Sequence, residues 1–206
     1  MYSLTEYIAD KLCEVTVKGL RDKQSTVNQL YPLYPERVKA VERKGGIRLA
    51  DINGDVWHFK CHSGTKDGVW YDVHLKFKGL AGVITKGGKD VKLWKKGMSG
   101  IDLNKLSIYV MENAGVQIVC DCPSDLYSGF HYLRSQSSVD AKYTEPEERS
   151  PVKRNPGKYG IECKHLGVVM SAVPFYLGTL AKFLKANYGE LIGKVEKSLL
   201  AKRVKK

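Results

Sequence analysis

The sequence predicts an α+β protein: an N-terminal helix, an antiparallel sheet, a long loop tied at its base, and C-terminal helices. Three observations predict it. Residues 69–78 alternate strictly, with Val69, Tyr71, Val73, Leu75 and Phe77 against Trp70, Asp72, His74, Lys76 and Lys78, the period of a half-buried strand. Asn53-Gly54 stands between two strand-like runs, a strong short-range hairpin signal. From Leu166 to Leu199 apolar residues recur at helical spacing, as in a helix with one buried face.

In chain order, Ser3-Leu4-Thr5-Glu6 reads as a capping box, in which Ser3 caps the helix start and Glu6 reaches back to the Ser3 amide. Leu4, Tyr7, Ile8, Leu12 and Val15 follow at helical spacing, so a first helix is predicted over Ser3–Lys18, ended by Gly19. Pro35 opens a short helix through Val41, closed by Gly45-Gly46. Ile47–Ile52 and Val56–Ser63 form the hairpin, and the alternating strand completes a meander with a polar outer face. The stretch 79–100 is glycine- and lysine-rich and yields no element. Leu106–Val110 and Val116–Val119 read as two more strands. Residues 123–162 form a long excursion. Its start, Leu126–Leu133, reads as a short helix, and its later part carries Glu145-Pro146, Pro151 and Asn155-Pro156-Gly157, which is loop chemistry. A loop of that length needs a tether. Pro174 then kinks the C-terminal helical region or starts a new helix. The divisions are an N-terminal helical segment 1–46, a sheet 47–122, a tied region 120–174 and a basic C-terminal helix 175–206, within one compact domain.

With 206 residues, 43% hydrophobic and 27% charged, the chain has enough material for one large core or two small ones. No apolar run reaches the roughly 18–20 residues needed to cross a bilayer. The opening MYSLTEYIADKLCEV has early acids and no apolar signal region. The expectation is a protein of the cytoplasm, or of something assembled there, that is neither secreted nor membrane-spanning. Five cysteines, an odd number without an export signal, argue against a disulfide framework.

The chemistry concentrates in two tight pairs. Cys120-Asp121-Cys122 ends a strand and Cys163-Lys164-His165 begins a helix, with 40 residues, 123 through 162, between the pairs. Three thiolates and an imidazole form a closed tetrahedral set for zinc, the composition of a structural site. Zinc there ties the excursion at both ends, and its binding free energy becomes folding free energy. The pattern C-x-C, long gap, C-x-H resembles the SWIM-type zinc-binding motif over about residues 105–175. Cys120-Asp121-Cys122-Pro123, Tyr127 with Tyr132, Asn155-Pro156 and Cys163-Lys164-His165-Leu166 resemble, more closely, SWIM-like proteins encoded by large tailed bacteriophages. The resemblance implies a zinc that performs no catalysis and a chain that binds DNA or protein. It points to a structural or assembly protein of a phage virion, in a homo- or hetero-oligomeric assembly with other virion proteins, with location in the virion or host cytoplasm.

Two other readings compete. The first is a free DNA-binding accessory protein. Net charge is +12, which favours polyanionic partners. Lys86, Lys89, Lys92, Lys95 and Lys96 form one basic cluster, and Lys202, Arg203, Lys205 and Lys206 another. Phosphate contact from such clusters needs no base readout, and Trp70 and Trp94 lie near the first cluster for stacking. The second is a nuclease. Glu162-Cys163-Lys164 fits a restriction-type E-x-K element, with Asp121 or Asp125 as the upstream acid for magnesium. Cys61, His58, His62 and His74 offer further metal-ligand types, for which a polar sheet face is the simpler account. Cys13 reads as a core residue of the first helix.

Overall fold

In the computed structural model, which describes residues 16–19, 34–88, 93, 101–127 and 163–204, helix α1 spans Tyr34–Arg43 and leads into β1 (Ile47–Asn53), β2 (Val56–His62) and β3 (Trp70–Lys78). Then come α2 (Leu80–Gly87), α3 (Leu103–Asn113), β4 (Gly115–Cys120) and α4 (Pro123–Tyr127). The chain closes with α5 (Lys164–Ala172), a 3-10 turn (Val173–Tyr176) and α6 (Leu177–Val204). The strands form one antiparallel sheet in the order β1-β2-β3-β4. This is the α+β architecture that the sequence predicts. The chain divides into two compact units, one from Met1–Lys78 and Gly115–Ala172, the other from Gly79–Ala114 and Val173–Lys206.

The first unit holds the sheet. Gly54 turns the β1–β2 hairpin at φ 56°, a left-handed conformation that glycine adopts without strain. Strict alternation puts Trp57, Phe59 and Cys61 of β2, Val73, Leu75 and Phe77 of β3, and Val116, Ile118 and Cys120 of β4 on one buried face. Trp57 and Phe77 meet edge to face at 5.6 Å. Helix α5 lies over β2, β3 and β4 and packs against α1, burying Leu166, Val169 and Met170. The opposite face carries Asp51, His58, Lys60, Asp72 and His74, so the sheet is two-sided as its alternation requires.

The second unit is helical, with α2, α3 and α6 packed together. Here the structure corrects two readings. Leu106–Val110 is not a strand but the middle of α3. Asp102 caps that helix, its carboxylate accepting the amides of Asn104 at 3.0 Å and Lys105 at 3.3 Å, and Leu106, Ser107, Val110 and Met111 are its buried stripe. Within 79–100, where no element was expected, α2 forms and buries Leu80, Ile84 and Gly87. Of the predicted first helix, residues 3–15 lie outside the described residues. Thr16 bridges Gly115, and its hydroxyl accepts the Gly19 amide at 3.0 Å. A helical turn therefore begins at Val17, where Gly19 was expected to end one.

Pro174 sits in the 3-10 turn between α5 and α6, as its missing amide predicts. The stretch Lys164–Ser198 contains an 18-residue window of mean hydropathy 1.4, long and apolar enough by composition to cross a membrane, half of it buried inside the fold. That window exceeds the apolar run expected from the sequence. Buried α5 residues such as Leu166, Val168 and Val169 show the part of it that serves as core.

Candidate metal centre

Strand β4 delivers Cys120 on its buried face, in line with Val116 and Ile118. The chain then turns rather than staying extended. The Cys122 amide donates to Cys120 Sγ at 3.4 Å, and Pro123 starts α4, a position where its missing amide is harmless. On the other side Cys163 immediately precedes α5, and its carbonyl accepts the Gly167 amide at 3.1 Å, the first bond of the helix. His165, in the first turn, points its ring at the same spot. Its Nδ1 lies 3.8 Å from Cys120 Sγ and 3.9 Å from Cys163 Sγ.

The ligand atoms of Cys120, Cys122, Cys163 and His165 all lie within 4.8 Å of one another. Zinc–sulfur bonds of about 2.3 Å require tetrahedral edges of about 3.7 Å, so shifts below an ångström separate this arrangement from full coordination. All four residues are buried, at 0%, 1%, 1% and 1% exposure, and the three cysteines are not in disulfides. The cluster can therefore hold a metal ion. His165 Nε2 is buried without a hydrogen-bond partner among the described residues, while the ring packs against Tyr71 at 4.8 Å.

The electrostatics are uneven. Cys122 is lowered to about 5, because the thiols of Cys120 and Cys163 hydrogen-bond to it. Burial, and then its bonds to the other two cysteines, push Cys120 well up. Cys122 thus takes a negative charge readily while Cys120 resists one, as a buried group does without a cation. Two carboxylates flank the turn. Asp125, with 0% exposure, accepts the Cys120 amide at 3.3 Å. Asp121 accepts the Asp72 amide at 2.8 Å and returns its own amide to the Asp72 carbonyl at 3.1 Å; burial raises its pKa.

Asp125 was read from sequence only as a candidate acid for a nuclease, and its grip on the cysteine turn was missed. Its spacing three residues after Cys122, at the start of a helix, was the available signal. Cys61 was also missed in its actual place. It is buried beneath α5, its thiol donates to the His165 carbonyl at 3.8 Å, and burial, then the nearby Cys163 and Cys122, push its pKa far up. It behaves as a neutral donor outside the four.

The other sequence candidates fall differently. Lys86 is exposed at the end of α2. Lys89, Lys92, Lys95, Lys96, Lys205 and Lys206 lie outside the described residues, and Lys202 and Arg203 belong to the last turn of α6. Trp70 is 36% exposed beneath the Arg48 guanidinium, 5.1 Å from the ring centroid. Cys13, Trp94, Tyr132, Asn155, Pro156 and Glu162 lie outside the described residues, as does 128–133 of the helix expected over Leu126–Leu133. His58 and His74 stack at 4.6 Å. His62 instead turns to Trp70 and the Ser63 carbonyl.

Fold and site together define an α+β protein with a buried three-cysteine, one-histidine cluster able to hold a metal ion. No family model, curated protein or solved structure matches this chain.

Proposed function

We propose that this chain is a non-enzymatic structural protein stabilised by one zinc ion bound to Cys120, Cys122, Cys163 and His165. The convergence of these four buried side chains within 4.8 Å carries the reading. Three thiolates and an imidazole are soft and borderline donors, which suit zinc. Four protein ligands leave no open position for a substrate or attacking water, so the metal clamps rather than catalyses. It joins the end of β4 to the start of α5 and so closes the base of the 123–162 excursion.

A SWIM-type centre in a tailed-phage particle, with neighbouring virion proteins as partners and packaged DNA as a further contact, belongs to the same proposal. The sequence motifs alone support that setting. Presence at fixed copy number in purified particles checks it; absence leaves a free DNA-binding accessory protein. The nuclease reading is less favoured, because Asp121 and Asp125 are engaged as acceptors of backbone amides and Cys163 belongs to the cluster.

Elemental mass spectrometry of the purified, reduced protein tests the metal. About one zinc per chain is expected, with Cys163→Ser losing it and unfolding at lower denaturant. Metal-free protein of unchanged stability would remove the reading.

A further inference from the structure

In an extended chain, residues i and i+2 are separated by about 6.6 Å, twice the rise per residue. A tetrahedral edge between two zinc-bound sulfurs is about 3.7 Å. An unbent chain would have to lean both thiols inward to meet that edge; here the chain instead folds back after β4, with the Cys122 amide donating to Cys120 Sγ at 3.4 Å, and something must hold that fold. The five residues of α4 are too few to be stable alone.

Asp125, the third residue of α4, makes the required contacts. Its carboxylate accepts the Cys120 amide at 3.3 Å. Its own amide donates to Cys122 Sγ at 3.3 Å and to the Cys122 carbonyl at 2.9 Å. One fully buried residue thus holds the backbone of the first cysteine and the sulfur and backbone of the second. We infer that Asp125 is the positioning residue of the metal centre, setting the bite of Cys120 and Cys122 without itself binding the ion. The inference rests on the metal reading above. Partners of this kind around metal ligands typically change affinity by 10–100-fold when removed.

The test uses the full chain, with Asp125→Ala, Asp125→Asn and the unmodified protein. Each is titrated with zinc against a chromophoric chelator, and loaded with cobalt(II) to record its absorption spectrum. Circular dichroism reports the fold. Asp125→Ala is expected to bind zinc about 10–100-fold more weakly and to lose intensity in the tetrahedral cobalt bands. Asparagine keeps an acceptor oxygen in the same place, so Asp125→Asn is expected to lose less affinity than Asp125→Ala and to keep the tetrahedral cobalt bands, a neutral hydrogen bond replacing a charged one. A merely structural aspartate would leave the cobalt spectrum unchanged. Should Asp125→Ala fail to fold, Asp125→Ser is read in its place against the same expectations. Unmodified affinity and spectrum in the alanine or serine variant overturn the inference while the metal reading stands. An unmodified protein that takes up neither metal overturns both.

Discussion

His58 and His74 face each other across β2 and β3 with ring centroids 4.6 Å apart. Asp51 of β1, Lys60 of β2 and Asp72 of β3 surround them, and Val119 of β4 lies opposite His74. Burial, and then the charge of His58, lower the pKa of His74 below 6.5. The unfolded chain then binds that proton more readily than the folded one, so stability is full above 6.5 and falls as pH drops toward the folded value. Asp72 acts in a separate window. Burial alone would raise its pKa, but hydrogen bonds from Lys60 and His58 outweigh that and hold it below 3.8. Its stabilisation is present above 3.8 and is lost only at lower pH. Urea midpoints measured from pH 7.5 to 5 should therefore fall with pH, Cys122 adding to the same slope because its thiol is lowered to about 5, and His74→Gln should reduce the slope; an unchanged slope would exclude His74 as a source of it. At this scale the four ligand-type residues were legible, because two tight pairs at a strand end and a helix start reveal themselves by spacing. Asp125 and Cys61 were not, because their roles depend on a turn and a helix placement that spacing does not encode.

Among elements, the legible ones had a periodicity confirmed by a turn. Asn53-Gly54 fixed the β1–β2 hairpin, and the alternation of residues 69–78 fixed β3. The misread α3 shows the limit. Leu106–Val110 is a short apolar run that strand and helix share, and only Asp102 as a cap tipped the balance. Helix α2 was hidden by composition, since Gly82, Gly87 and Gly88 read as loop. Their surroundings differ from those of the glycines in α6. A Cβ on Gly87 would stand 2.5 Å from the Tyr109 ring, whereas Gly178, Gly189 and Gly193 have nothing within 4 Å of an added Cβ. Alanine at each of those three α6 positions should stabilise the protein by about 0.5–1 kcal/mol, the helix penalty of glycine. Gly87→Ala should destabilise it by about 1–3 kcal/mol through overpacking. Denaturant unfolding of the four variants decides the matter, and destabilisation by all four would show that the α6 glycines are not free positions.

For the molecule as a whole, all four cluster residues belong to the unit formed by Met1–Lys78 and Gly115–Ala172. The unit formed by Gly79–Ala114 and Val173–Lys206 contributes none and has its own core of Leu80, Ile84, Leu106, Val110, Leu180 and Leu184. A ligand stabilises what it binds by mass action, about 2.7 kcal/mol when its free concentration is a hundredfold above Kd. For the proposed zinc that energy would enter where β4 meets α5, the two elements that the 123–162 excursion separates in sequence. Removing the metal should therefore loosen the sheet unit selectively. In hydrogen exchange resolved by peptide, a zinc chelator is expected to speed exchange in Val56–His62, Trp70–Lys78, Gly115–Cys120 and Lys164–Ala172. It is expected to leave Leu80–Gly87 and Leu103–Asn113 as they were, because local opening follows the cooperative unit that carries the lost interaction. Uniform acceleration across both groups would show that the chain unfolds as one cooperative block and that the metal supports all of it. No acceleration in either, with zinc demonstrably removed, would mean that packing of Leu166, Val169 and Met170 on the sheet holds β4 and α5 together without the ion.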